Sequence, residues 1–259
     1  MNSPPLIPAP IFQPPSMEAA IAVLQKCNWP TDIVVIDFET YFTAEYSLEK
    51  LSTIEYIESP KFEEQGVACL IVHGESPYAP RQAAFWPNVE EQLLWLQKQY
   101  GRNLERCTVV IQNARFDGTI LVRKHSILPP FVVDTLALSR HLDARNTHKL
   151  KDLCKRWGLP PKGETMKFIG LKWATMTPDQ REAYASYANN DAEREADLLA
   201  ILLPKLTRPE VELPLQRHTL RLYWSPELCF DFPLADELLA KMNQEVEKSL
   251  ESVAWVLDV

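Results

Sequence analysis

The chain has 259 residues, of which 46% are hydrophobic and 24% charged, with a formal net charge of −8. That length suits one sizeable domain or a domain plus an appendage, and the composition is that of an ordinary globular protein. The acidic balance excludes a protein that coats nucleic acid by bulk charge, and no apolar run is long enough to span a bilayer.

The start, MNSPPLIPAPIFQPP, has no basic residues ahead of a continuous apolar stretch, so it does not read as a signal peptide. Its proline density predicts an extended or disordered lead-in, and the expectation is a soluble, cytoplasmic protein with no membrane partner. The cysteines, Cys27, Cys69, Cys107, Cys154 and Cys229, are odd in number and widely spaced, without a CxxC pair. This pattern argues against a zinc site or a disulfide framework and for reduced thiols.

In chain order, a short helix is predicted around Met17–Cys27, within a lead-in of residues 1–30. The β-branched run Ile33–Ile36 reads as a buried strand. Two further strands are expected at Val67–Val72 and around Ala83–Trp86, then a helix over Val89–Tyr100. Cys107–Ile111 is another buried strand, followed by a helix over Phe116–Lys124, a short strand at Phe131–Val133 and a helix starting near Asp134. Lys149–Trp157 reads as a helix. Thr177-Pro178-Asp179 is a helix start, with a cap residue followed by proline in the first turn. That helix is expected to run to about Asn190, with a second from Asp191 to Leu203. Pro204–Pro214 reads as a boundary, and the remainder as two helical stretches split by Ser225–Pro233. The expected organisation is thus residues 1–30 as lead-in, 31–205 as the main domain and 206–259 as a helical extension. The order of strands and helices predicts an α/β fold, a mixed five-stranded sheet with helices on both faces, which fits an RNase H-like core.

Three acidic elements carry chemistry. Asp37-Phe38-Glu39 follows the first strand, and residues two apart on a strand point the same way. Two adjacent carboxylates cost energy unless cations offset them, and hard divalent ions such as Mg²⁺ or Mn²⁺ take such oxygen ligands. Gln112-Asn113-Ala114-Arg115-Phe116-Asp117 places Asp117 near a helix N-terminus, where the dipole favours it. Tyr187 and Asp191 are four apart on a helix and share a face. Each element alone has a plain reading as a strand end, a helix-start acid or a surface acid. Between Arg140 and Lys172 nine Lys or Arg stand against three acids. That stretch reads equally as a solvated helix face or as a track for a phosphate backbone.

Taken together, the three elements resemble the motifs of the 3′→5′ proofreading exonuclease domain of bacterial and phage family A DNA polymerases, of the RNase H-like, DnaQ-like class with four acids. Asp37-Phe38-Glu39-Thr40 resembles the first motif, Gln112-Asn113-x-Arg115-Phe116-Asp117 the second, and Tyr187-Ala188-x-x-Asp191-Ala192 the third. Ser186 stands where the histidine subclass carries histidine, so the chain resembles the tyrosine subclass. Beyond these, Glu212-Leu213-Pro214-Leu215, Arg221-Leu222 and Phe230-Asp231 look like the join between such an exonuclease and the polymerase thumb.

The resemblance implies a phosphodiester hydrolase using two divalent cations, Mg²⁺ or Mn²⁺, about 3.5–4 Å apart. It implies that Asp37 bridges both ions, that Glu39 and Asp191 complete one site, and that Asp117 holds the other largely through water. Tyr187 orients the attacking water. Gln112 and Asn113 touch the terminal nucleotide, Thr40 approaches the 3′-hydroxyl, and Phe116 either stacks on a base or packs in the core, the latter favoured. His148 and Lys149 are candidates for phosphate contacts. The implied partner is the 3′ end of single-stranded or frayed DNA, with a DNA polymerase domain or subunit as context, in a bacterial or phage-infected cell. Two other readings stay open: an RNA-trimming exonuclease resembling ribonuclease D, and a catalytically silent scaffold module of a replication complex.

Overall fold

The computed structural model describes residues 12–226 and 230–253. Most of the proline-rich start, together with Cys229, therefore lies outside the described residues. The strands β1 (Ile33–Thr40), β2 (Glu64–Val72), β3 (Ala84–Trp86), β4 (Thr108–Ile111) and β5 (Val132–Asp134) form one mixed sheet in the order β3-β2-β1-β4-β5. β1 runs antiparallel to β2, and β2 to β3, while β4 is parallel to β1 and β5 to β4. This is the expected RNase H-like α/β architecture.

The helices are α1 (Glu18–Lys26), α2 (Thr53–Glu58), α3 (Val89–Tyr100), α4 (Ala114–Arg123), α5 (Thr135–Leu142), α6 (Leu150–Trp157), α7 (Pro178–Leu202), α8 (Pro209–Trp224) and α9 (Phe232–Glu251). Alternation along β1 divides the core. Ile33 and Val35 join a cluster with Ala188, Ala192, Ala196 and Leu199 of α7. Val34, Ile36 and Phe38 join the opposite cluster with Leu93 and Leu96 of α3 and Ile120 and Leu121 of α4. Each Val, Ile, Leu or Phe among these, when fully buried, contributes roughly 1.5–3 kcal/mol.

Three local expectations are revised. β1 does not stop at Ile36. Its partner β2 extends far enough to pair Asp37 with Ala68 and Glu39 with Gly66, so both acids sit inside a strand. The helix split expected at Asn190/Asp191 is absent, and α7 is one helix of 25 residues. A capping box of Thr177 and Gln180 starts it, no Gly interrupts it, and Asn190 spends its side-chain amide on Pro161 O at 3.2 Å rather than on its own backbone. α2 was not anticipated, although Ser52 and Glu55 form a capping box in the S-x-x-E pattern.

The division expected after residue 205 also differs from the packing, which carries the first unit to Ser225. α8 buries Leu213, Leu220 and Trp224. Trp224 Nε1 donates to Ala114 O at 3.0 Å, and its ring lies so close to Gly118 that a Cβ there would come within 2.0 Å of it. Gln216 brackets the start of α5, accepting from Asp134 N at 2.9 Å and donating to Asp134 O at 3.1 Å. The second unit, from Pro226, contains α9, capped by Asp231, which accepts from Leu234 N at 3.0 Å. Its Leu234, Leu238, Leu239, Met242, Val246 and Leu250 are exposed. No described helix is long and apolar enough to cross a membrane.

Candidate active site

At the C-terminal end of β1 the apolar face that meets α7 turns polar. β4 has already separated from β1 there, its pairing ending at Val35 with Val110. The Phe38 amide on that side therefore lacks a strand partner, and it donates to Asp117 Oδ1 at 2.9 Å. α4 is preceded by Asn113, a residue in the left-handed region (φ 65°) whose backbone amide donates to Asp134 Oδ1 at 3.0 Å. This tight turn swings the first turn of α4, and Asp117 with it, back over the end of the sheet.

Asp37, Glu39, Thr40, Gln112, Asn113, Phe116, Asp117, Tyr187 and Asp191 all line one cavity of about 330 Å³. His148 and Lys149 are not among its lining residues, although their neighbour Leu150 is. His148 Nδ1 is hydrogen-bonded to Ser139 Oγ at 2.9 Å, and its carbonyl accepts from Gln112 Nε2 at 3.2 Å. Lys149 is exposed at the start of α6. The Gln112 side chain is further bonded to Thr135 Oγ1, so its amide is engaged in shaping the β4–α4 turn. Thr40 Oγ1 is bonded to Tyr56 OH at 2.9 Å. Phe116 packs on Tyr56 with centroids 5.8 Å apart and against the core, while still facing the cavity.

Six further residues complete the site or its wall without having been read from the sequence as site residues. Glu195, one turn past Asp191 on α7, is 2% exposed and accepts from the Gln112 amide at 3.1 Å. Lys162 forms an ion pair with Asp191 and donates to Tyr187 OH at 3.2 Å. Thr165 Oγ1 is bonded to the same phenol oxygen at 2.9 Å. Tyr184 and Phe168 pack at a tilt against the Tyr187 ring, at interplanar angles of 47° and 49°. Gly163 lets the loop close on that ring, since a Cβ at 163 would sit 2.6 Å from Tyr187 Cδ2. Glu195 had a legible signal, the i, i+4, i+8 row Tyr187, Asp191, Glu195. Lys162 had appeared only as one member of the basic stretch. The other eight Lys and Arg of that stretch are exposed, and Lys162 alone turns into the cavity.

The electrostatics follow from burying acids together. Burial, with the Asp191 charge adding to it and Lys162 opposing it, pushes Asp37 up to about 7. Burial, then Asp37 and Asp191, holds Glu39 well above the usual carboxylate range. Asp117 is raised by burial and Asp37, against the Phe38 amide bond. Asp191 is raised by burial, with the Lys162 ammonium pulling the other way. Burial also raises the Tyr187 phenol, so it stays protonated as a donor.

The donor atoms are carboxylate oxygens, which suit a hard divalent ion. Asp191 Oδ1 is buried without a hydrogen-bond partner, an acceptor in need of a cation or donor. Among the described residues no three acids are already closed around one point as a formed metal cage. Instead Asp191 is turned to Lys162, Asp117 to the Phe38 amide and Glu195 to the Gln112 amide. The acids are thus gathered in one cavity, each turned to a different partner.

The chain shares 40% identity over 63 residues with DNA polymerase I of Synechocystis sp., covering 24% of this chain and 6% of that protein. Its fold is similar to RNase D of Trypanosoma brucei, with a TM-score of 0.54, 13% identity, and coverage of 83% of this chain and 71% of the other. The same holds for the catalytic core of RRP6 from Trypanosoma brucei, C496S mutant, with a TM-score of 0.51, 16% identity and coverage of 80% of this chain. This chain spans 50% of that RRP6 chain. A family profile described as 3′-5′ exonuclease, that of the DNA polymerase A exonuclease domain, matches residues 11–207. With three-quarters of its length matched, the chain belongs to the 3′-5′ exonuclease family.

Proposed function

We propose that this chain removes nucleotides from the 3′ end of single-stranded or frayed DNA by hydrolysis that depends on two divalent cations. The observation that carries the reading is the gathering of Asp37, Glu39, Asp117, Asp191 and Tyr187 in one cavity, with Asp191 Oδ1 buried and unpartnered. Asp37, Glu39 and Asp191 are the groups to hold one cation, and Asp37 with Asp117 the other. When bound, such ions offset charge on the phosphodiester and acidify a bound water. The chain's own contribution is to aim the groups around that water. Tyr187, locked by Thr165, Lys162 and the aromatic wall of Tyr184 and Phe168, offers its hydroxyl as the donor that orients it. An unpaired terminus is favoured, because a frayed end costs less to extract.

Family membership and the identity with a DNA polymerase I segment favour DNA, in a proofreading context with a polymerase as partner. On this reading residues 206–259 are the approach to a polymerase thumb. The second reading, RNA trimming, draws on the likeness to RNase D, one of whose solved structures is a complex with RNA U12. At that identity the likeness bears on fold alone. Matched DNA and RNA oligomers, labelled at the 5′ end and incubated with Mg²⁺ or Mn²⁺, decide between them. A ladder shortening from the 3′ end of DNA is expected, lost with EDTA. Faster loss of RNA would overturn the DNA assignment. No shortening with either metal would return the chain to the scaffold reading.

A further inference from the structure

Glu195 is a buried carboxylate without a positive partner. Two residues on, the same helix shows how this chain stabilises a structural acid: Asp197 lies 2.9 Å from Arg81 and 3.3 Å from Arg194. Glu195 has no ion pair among the described residues, and its one hydrogen bond is the Gln112 amide on Oε2. It nevertheless lines the cavity with four other acids. The charges around it are those of Asp37, Asp117 and Asp191, all of like sign, with Lys162 the counterweight. A fifth acid in such a place costs stability unless a cation offsets it.

The charge balance supports the same use. Lining the cavity are five carboxylates and one ammonium, formally four negative charges in excess, which two divalent cations neutralise. The four motif acids alone would leave Lys162 as a surplus positive charge once two such ions bind. Position adds the final element. Gln112, whose backbone amide grips Glu195, leads from β4 into α4, which carries Asp117 in its first turn, and Asp37 and Asp117 are the acids whose charges act most on Glu195.

We propose that Glu195, the fifth carboxylate of the cavity, joins Asp37 and Asp117 in holding their shared cation. The proposal rests on the two-cation reading above, and its test separates the two. Mn²⁺ is titrated into the full chain without nucleic acid, free ion being counted by electron paramagnetic resonance. The wild type, Glu195→Gln and Asp37→Asn are compared. Glu195→Gln keeps an oxygen for the Gln112 amide and removes the charge. The wild type is expected to bind two ions, and Glu195→Gln to keep one while the other weakens at least about tenfold. Its melting temperature in EDTA is expected to equal or exceed that of the wild type. Should Glu195→Gln fail to fold, Glu195→Asp, which withdraws the carboxylate by one methylene, is expected to show the same selective weakening. Unchanged binding in a folded Glu195 variant, with binding lost in Asp37→Asn, would overturn this proposal and leave the nuclease reading standing. A wild type that binds no Mn²⁺ would overturn both.

Discussion

At one end of the α7–sheet interface, Ile33 and Val35 of β1 share a dry core with Ala192, Ala196 and Leu199. At the other end, on the same strand face and the same helix, Asp37 and Glu39 share a cavity with Tyr187, Asp191 and Glu195. The backbone is regular through both. The difference lies in what each half does with burial. The apolar half gains stability from leaving water, whereas the acidic half is forced together against its preference, as the raised Asp37 shows. The stable half thus holds the costly half in place, and strain of this kind is where function collects.

The largest expected effect that sharpens this contrast comes from exchanging one residue in each half. Asp37→Ala should lower 3′-end cleavage by at least about 10³-fold, roughly 4 kcal/mol of transition-state stabilisation, while leaving metal-free stability unchanged or higher. Val35→Ala should do the reverse, costing about 2 kcal/mol of stability while the folded fraction keeps its rate. Parallel urea melts and single-turnover assays read both. A large stability loss in Asp37→Ala would break the division between the halves.

Tyr187→Phe comes next, lowering the rate about 10²-fold by removing a positioned hydroxyl without changing the number of Mn²⁺ ions bound. An unchanged rate would remove the water-orienting role from this phenol.

The smallest effect is on stability against pH. Asp37, raised to about 7 by burial, and Glu39, Asp117 and Asp191, raised in the same direction, keep protons in the folded state that the unfolded chain releases. The folded state then binds more protons than the unfolded one, so stability falls as pH rises from the ordinary carboxylate range towards about 7. In EDTA the melting temperature should therefore drop by several degrees between about pH 5 and about pH 8. Saturating Mg²⁺ should restore it, since a ligand at about 100 times its Kd contributes about 2.7 kcal/mol. A flat profile in EDTA would contradict the shared burial of these acids.

Much of this was open to a reader of the sequence because it is local. The β-branched run at Ile33–Ile36, the Thr177-Pro178 cap and the row of Tyr187 and Asp191 depend on neighbours within a turn or a strand. The motif spacing carried the gathering of the acids, since each acid sits at a regular place on its own element. What exceeded local reach was set by partners distant in the chain. β2 extends β1 past Ile36, and the Pro161 carbonyl takes up Asn190, so that α7 continues. Gly118 receives Trp224, drawing α8 into the first unit. Lys162 enters the cavity because the loop closes on Tyr187 at Gly163. Ion pairs and hydrogen bonds depend on distance in space and are indifferent to distance along the sequence. Sequence therefore determined which acids this protein would gather, and the tertiary structure alone decided which amide, cation or neighbouring carboxylate each would face.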